Sequence, residues 1–247
     1  MATVGQVRVE SAPVSSPWAS IIPIWIVLGG FGIYATLRAF EGRFYEWGPY
    51  LSPFYSPLID PHHHWWPLSP AVLILGGPLS FRMTCYYYRK AYYRAFFLDP
   101  PGCAVAERPT RRYSGETRFP FILQNLHRYT LYIAIIFLGF LWRDAIRAFF
   151  FPDGIGVGVG TIVLLVNVIL LSLYLLSCHS VRHLIGGKLD CYSCAKFGMA
   201  RHTGWRRITS LNEHHMLLAW ISLCTVGFAD FYIRLVSSGA IRDIRIF

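Results

Sequence analysis

A chain that crosses a bilayer must satisfy its backbone hydrogen bonds internally, and roughly 20 consecutive apolar residues suffice for one helical span. Five such stretches recur along these 247 residues, and nothing else in the sequence constrains the fold as strongly. They run about Trp18–Phe40, Leu68–Phe97, Pro120–Phe150, Val157–Ile185 and Leu211–Val236. Several exceed what the hydrocarbon needs, so they tilt or protrude. The expectation is an all-α, polytopic membrane helix bundle with five transmembrane helices, one domain over residues 1–247. Composition agrees: 54% of residues are hydrophobic and 15% charged, where a soluble domain carries about a quarter charged.

The net charge of +10 raises nucleic acid as a partner, but its distribution argues against that. Arg89, Lys90 and Arg94 at the end of segment two, with Arg108, Arg111, Arg112 and Arg118 after it, crowd the second loop. Arg182 at the end of segment four, with Lys188, Lys196, Arg201, Arg206 and Arg207 after it, crowds the fourth. The other loops are near neutral or acidic. By the positive-inside rule the N-terminus and loops two and four are cytoplasmic and the C-terminus is outside. The residues before Trp18 lack a basic n-region and cleavage site, so they read as a short cytoplasmic tail rather than a signal peptide.

Local signals mark the ends. Ser210-Leu-Asn-Glu213 has the pattern of a capping box opening segment five. Gly186-Gly187 reads as a stop for segment four, and Pro100-Pro101 ends whatever continues from segment two. The outer loop, Glu41–Pro67, is rich in Trp and Tyr and reads as an interfacial belt. Its His62-His63-His64 run could take only an adventitious metal. The Tyr86–Arg94 stretch reads as an interfacial anchor and a docking surface for a soluble partner.

The strongest chemical signal is C-H-S-V-R-H-L-I-G-G-K-L-D-C-Y-S-C, Cys178 to Cys194, since imidazole and thiolate are the ligands of soft and borderline metals. His179 and His183, at i and i+4, project from one helical face. Cys191 and Cys194 form a chelating C-x-x-C. These four are the candidate metal ligands, and two His with two Cys is the set of a Rieske-type [2Fe–2S] cluster. The spacing is not the usual Rieske one, so His127 or His215 could replace one histidine. A Cys2His2 zinc fits the same residues, and a haem b fits His127 paired with His183 or His215. Cys85, Cys103, Cys178 and Cys224 read as small apolar residues, with Cys178 close enough to be a spare ligand. All helical histidines fall within roughly 12 Å of the inner boundary at 1.5 Å per residue, and ionisable groups there are functional by default.

At these residues the chain resembles a known family. The stretches PLSFRMTCYYYRKAYYRAFFLDPPGCAVAE, GETRFPFILQNLHRYTLY, SCHSVRHLIGG and LNEHHMLLAWISL are similar to the membrane-anchor subunit of respiratory complex II (succinate dehydrogenase or fumarate reductase), and more narrowly to the single-chain, five-helix anchor of actinobacterial enzymes. The resemblance covers most of Pro78 to Arg234. It implies flavoprotein and iron–sulfur partner subunits, a quinone substrate at a site near the cytoplasmic boundary, and an inner-membrane location among lipid, with a higher oligomer of the complex compatible. Better-known five-helix anchors hold two haems with four histidines spread over both membrane halves. This sequence departs from that pattern, because its outer half lacks helical histidines. Some anchors of the actinobacterial class use a Rieske-type cluster instead.

The expected function is transfer of electrons from the iron–sulfur subunit, through a cofactor at the segment-four motif, to quinone. His127, His215 and Trp220 are the candidate quinone contacts, with Tyr86 and Arg82 behind them. The rival readings are a transporter, which the absence of internal repeats and of midplane polar groups disfavours, and a structural anchor with a zinc-pinned loop.

Overall fold

The computed structural model describes residues 17–59, 69–97, 117–119, 121–187 and 191–247. Pro100-Pro101, His62–His64, Cys103 and most of the arginine-rich second loop lie outside them. Helices α1 (Pro17–Ile24) and α2 (Gly30–Glu41) are joined by a π turn, Trp25–Gly29, into one span that ends at Gly42 in the left-handed region. Few of its side chains are buried; Ile26 and Ile33 are about two-thirds exposed, the mark of a lipid-facing helix.

Helix α3 (Pro70–Thr84) opens with proline at its first turn, where the missing N–H costs nothing. It stops at Cys85, whose backbone is extended (φ −67°, ψ 129°), and α4 (Tyr86–Tyr92) begins directly after. The expected continuous second span is thus broken in two, and α3 alone is too short to cross. Helix α5 (His127–Arg147) follows a 3-10 segment, Phe121–Leu126. Helix α6 spans Val159–Leu176. The chain turns at Ser177-Cys178 (Cys178 φ −67°, ψ 140°) into the short amphipathic α7 (His179–Gly186). The fourth span therefore ends nine residues earlier than Ile185, the expected limit (185 − 176), and His179 and His183 stand outside it.

Segment five is also corrected. Ser210–Glu213 is the last turn of an unanticipated helix, α8 (Gly198–Glu213), rather than a capping box, and α9 runs His215–Ser237. Among the described residues, four helical stretches are long and apolar enough to cross a membrane: Ile21–Glu41, Ile122–Arg147, Val159–Leu176 and His215–Ser237.

Helix α6 packs on α9 and α5, α5 on α3, and α2 leans on α3 and α9, while α7 and α8 form a hairpin at one end. Small residues permit the close approaches: a Cβ on Gly77 of α3 would sit 2.4 Å from the Phe137 ring of α5. At the opposite end, the short hairpins β1–β2 (Glu46–Trp47, Tyr50–Leu51) and β3–β4 (Phe150–Phe151, Gly154–Ile155) close the loops. Three of the outer-loop aromatics do not join the expected belt, while Phe44 and Trp47 stay exposed and Trp65 and Trp66 lie outside the described residues. Tyr50, Phe54 and Tyr55 are buried as a plug, with Tyr55 stacked on Tyr45 at 4.2 Å.

Beneath that plug, the fully buried Asp230 of α9 accepts from Tyr34 (2.6 Å), Ser52 and Arg234 (2.8 Å), and Arg234 also reaches Glu41 (3.0 Å). A buried carboxylate demands such a set of donors. These bonds tie α2, the first loop and α9 together.

Candidate functional site

At the end away from the plug, two dipeptides of the same kind sit at the two helix breaks. Thr84-Cys85 lies between α3 and α4, and Ser177-Cys178 between α6 and α7. Between them they hold His127, at the start of α5, and His215, at the start of α9. Thr84 Oγ1 lies 3.0 Å from His127 Nδ1, and Cys178 Sγ lies 3.0 Å from His127 Nε2. In mirror fashion, Ser177 Oγ lies 2.7 Å from His215 Nδ1, and Cys85 Sγ lies 3.5 Å from His215 Nε2. Each dipeptide thus fixes one histidine with its hydroxyl and faces the other with its sulfur.

The hydroxyls decide the tautomers. Thr84 gives its proton to the Ser80 carbonyl (2.8 Å) and Ser177 gives its own to the Tyr174 carbonyl (2.7 Å). Each oxygen then accepts from Nδ1–H, which leaves the Nε2 lone pair bare and aimed at a thiol. A histidine held by Nδ1–H with Nε2 free is the form that ligates metal.

Three of the four donors are removed from water and the fourth partly so. Cys85, Cys178 and His127 are buried and His215 is half-buried. Phe81 stacks on His127 (4.7 Å) and Tyr174 on His215 (5.2 Å). Burial holds the Cys178 thiol up at about 11, opposed by the Ser180 and Val181 amides facing its sulfur and reinforced by Cys85 nearby. A metal that displaces the thiol proton removes that cost. Beside the four donors opens a cavity of about 760 Å³, whose lining includes Gln124, Arg128, Ser180 and Asn212. Gln124 is buried, and its Oε1 finds no partner among the described residues.

The expected ligand set is placed differently. His179 and His183 are neighbours on α7, with Nε2 atoms 2.9 Å apart. Burial, then His183 and Arg182, hold His179 below the usual histidine range. Cys191 and Cys194 are joined to each other as a disulfide in the loop between α7 and α8. Tyr192 of that loop donates to the Gly186 carbonyl (3.1 Å) and packs between the two helices against His202 and Trp205. Among the described residues, no three His, Cys, Asp or Glu side chains close on one point that would hold a single ion. The buried four come as two Cys–His pairs, His127 with Cys178 and His215 with Cys85.

Of the candidate quinone contacts, His127 and His215 belong to the buried four. Trp220 stands apart, half-buried, donating to Tyr87 Oη at 2.5 Å. Arg82 is tied to Tyr88 (2.5 Å), the Ala219 carbonyl (3.2 Å) and Ser222 (3.0 Å).

A bundle of membrane-crossing helices with two thiols and two imidazoles buried at one end is an integral-membrane subunit with a cysteine–histidine cradle. The chain belongs to the family described as actinobacterial succinate dehydrogenase subunit SdhC, which matches residues 19–239. It is similar to a chain of the Mycobacterium smegmatis Sdh1 complex in the apo form, at 43% identity and a TM-score of 0.84, over 98% of this chain and 96% of that one. No match is found among curated proteins. The protein is therefore a membrane-anchor subunit of succinate dehydrogenase, as its sequence motifs suggested.

Proposed function

We propose that this subunit carries electrons from the soluble part of succinate dehydrogenase to a membrane quinone through a Rieske-type [2Fe–2S] cluster held by Cys85, His127, Cys178 and His215. The observation that carries this reading is the crossed arrangement of the two hydroxyl–cysteine dipeptides around the two histidines. The donor chemistry fits the group: two thiols, two imidazoles with Nε2 presented, both Nδ1 atoms engaged, and burial from water. Two thiols beside two imidazoles are the donor set of such a cluster, which would take the cysteines on one iron and the histidines on the other, whereas a haem would need only the imidazole pair. When bound, the cluster supplies a one-electron relay.

The chain's own residues do the rest. Thr84 and Ser177 orient the imidazoles. Phe81 and Tyr174 wall them from lipid. In the adjoining cavity, Gln124 Oε1 accepts a hydrogen bond from the reduced headgroup, while Asn212 and Ser180 supply further polar contact and Arg128 favours a developing negative charge. The iron–sulfur subunit, itself joined to the flavoprotein, docks over α4 and the basic α7–α8 hairpin. These lie on the cytoplasmic side, with the C-terminus outside.

The test is made on the purified complex. His127→Ala with His215→Ala removes the iron of one [2Fe–2S] centre, its EPR signal and quinone reduction, while oxidation of succinate by a soluble dye persists. His179→Ala with His183→Ala leaves the iron content unchanged. The reverse pattern would return the ligands to the α7 motif.

A further inference from the structure

The α7–α8 hairpin carries one side chain in a conformation that its chemistry opposes. Phe197, the residue before α8, sits in the left-handed region (φ 61°, ψ 21°), where a β-carbon crowds the neighbouring carbonyl and glycine is the usual occupant. The hairpin fixes it there. Gly198 N–H donates to the Ala195 carbonyl (2.9 Å) and Arg201 N–H to the Phe197 carbonyl (3.0 Å), while Gly198 is pressed against the Tyr192 backbone. Burial does not offset the strain: Phe197 is 72% exposed, and Met199 beside it 71%. An aromatic ring held in the open by a strained backbone is not a packing solution for this chain. Such strain persists where a surface is used.

We propose that Phe197, with Met199, is the apolar anchor by which the iron–sulfur subunit is held to this one. This rests on the reading that the iron–sulfur subunit docks over the α7–α8 hairpin. From Met199 the exposed face of α8 continues through Thr203, Arg206 and Ser210, at helical spacing, with Arg207 alongside. Lys196 Nζ lies 5.7 Å from the Phe197 ring centroid. The ring is thus an apolar point bordered by cations, and it fits an apolar socket rimmed by carboxylates on a protein partner. A lipid surface fits it less well. A helix lying in the bilayer interface needs a continuous apolar face. Helix α8 instead turns Trp205 toward Gly186 and buries Ile208, and it shows threonine, serine and arginine outside. Because the fold already fixes its backbone, Phe197 loses little freedom on binding, and its apolar area goes into the contact.

The experiment uses the complete complex. Phe197→Gly removes the ring and relieves the left-handed backbone, so the hairpin keeps its fold. From complex immobilised through this subunit, the soluble subunits are expected to dissociate about 30-fold faster than from wild type, the effect of losing one hot-spot side chain. An unchanged rate overturns the role of Phe197. Contact is read directly by placing the photoreactive p-benzoylphenylalanine at position 197 and, separately, at position 203. A cross-link from 197 to the iron–sulfur subunit is the expected result. A cross-link to that subunit from 203, with 197 reaching only the flavoprotein, lipid or nothing, overturns the anchor and leaves the docking reading intact. No cross-link to the iron–sulfur subunit from either position overturns docking over the hairpin, and the anchor with it.

Discussion

At the scale of single residues, small hydroxyls carry more of the site than their chemistry advertises. Thr84→Val keeps the shape but gives His127 Nδ1–H no acceptor. We expect about a 10- to 100-fold loss in retention of the metal, measured as iron remaining after a timed chelator challenge. Asp230→Asn tests the other end. It weakens the pairing of the buried Arg234, which keeps Glu41, and should cost about 3 kcal/mol. A lowered thermal midpoint with unchanged cluster EPR is the expected signature. The histidines of the site were legible in the sequence because a helical histidine in an apolar span stands out. Of its cysteines, Cys178 stood out only as a spare ligand and Cys85 not at all. Cys85 looks like any small apolar residue, and its partner histidine lies 130 positions away; only tertiary pairing picks it out. The one local clue is the repeated hydroxyl–cysteine step, Thr84-Cys85 and Ser177-Cys178, at the polar end of two apolar runs.

At the scale of elements, hydropathy located every long apolar run but could not see breaks within two of them. Both breaks are single extended residues without proline or glycine, so no turn signal accompanies them. Helix α8 was missed for the opposite reason: its polar, arginine-rich sequence reads as loop, and it is held by its packing on α7. Arg201 Nε donates to the Ile185 carbonyl (2.8 Å), and the Arg182 guanidinium lies 4.8 Å from the Trp205 centroid. Gly198 is the tightest point of that hairpin, since a Cβ there would fall 1.6 Å from the Tyr192 carbonyl oxygen. Gly198→Ala must push the 191–194 loop away from α8. We expect the bundle to insert normally but to lose the soluble subunits on purification, seen as anchor without its partners by size-exclusion chromatography. Full retention would show that docking does not use this hairpin.

At the scale of the whole molecule, the fold has two unlike ends: an aromatic and carboxylate plug at one, and the cysteine–histidine cradle under a basic hairpin at the other. The charge count predicts which end faces the cytoplasm. With labelling of native cysteines subtracted, a membrane-impermeant maleimide should modify Ser238→Cys in intact cells and Thr203→Cys only in inside-out vesicles. The opposite pattern would invert the proposed orientation. The crossed clasp also governs how the protein is made. Its donors come from the α3–α4 junction, α5, the α6–α7 junction and α9, so a growing chain presents Cys85 early and His215 only when the last helix emerges. No partial product can contain the finished site. On the proposed cluster, loading of iron would wait for complete insertion, and an anchor that had taken up its metal would, by that fact, have passed its own inspection for topology.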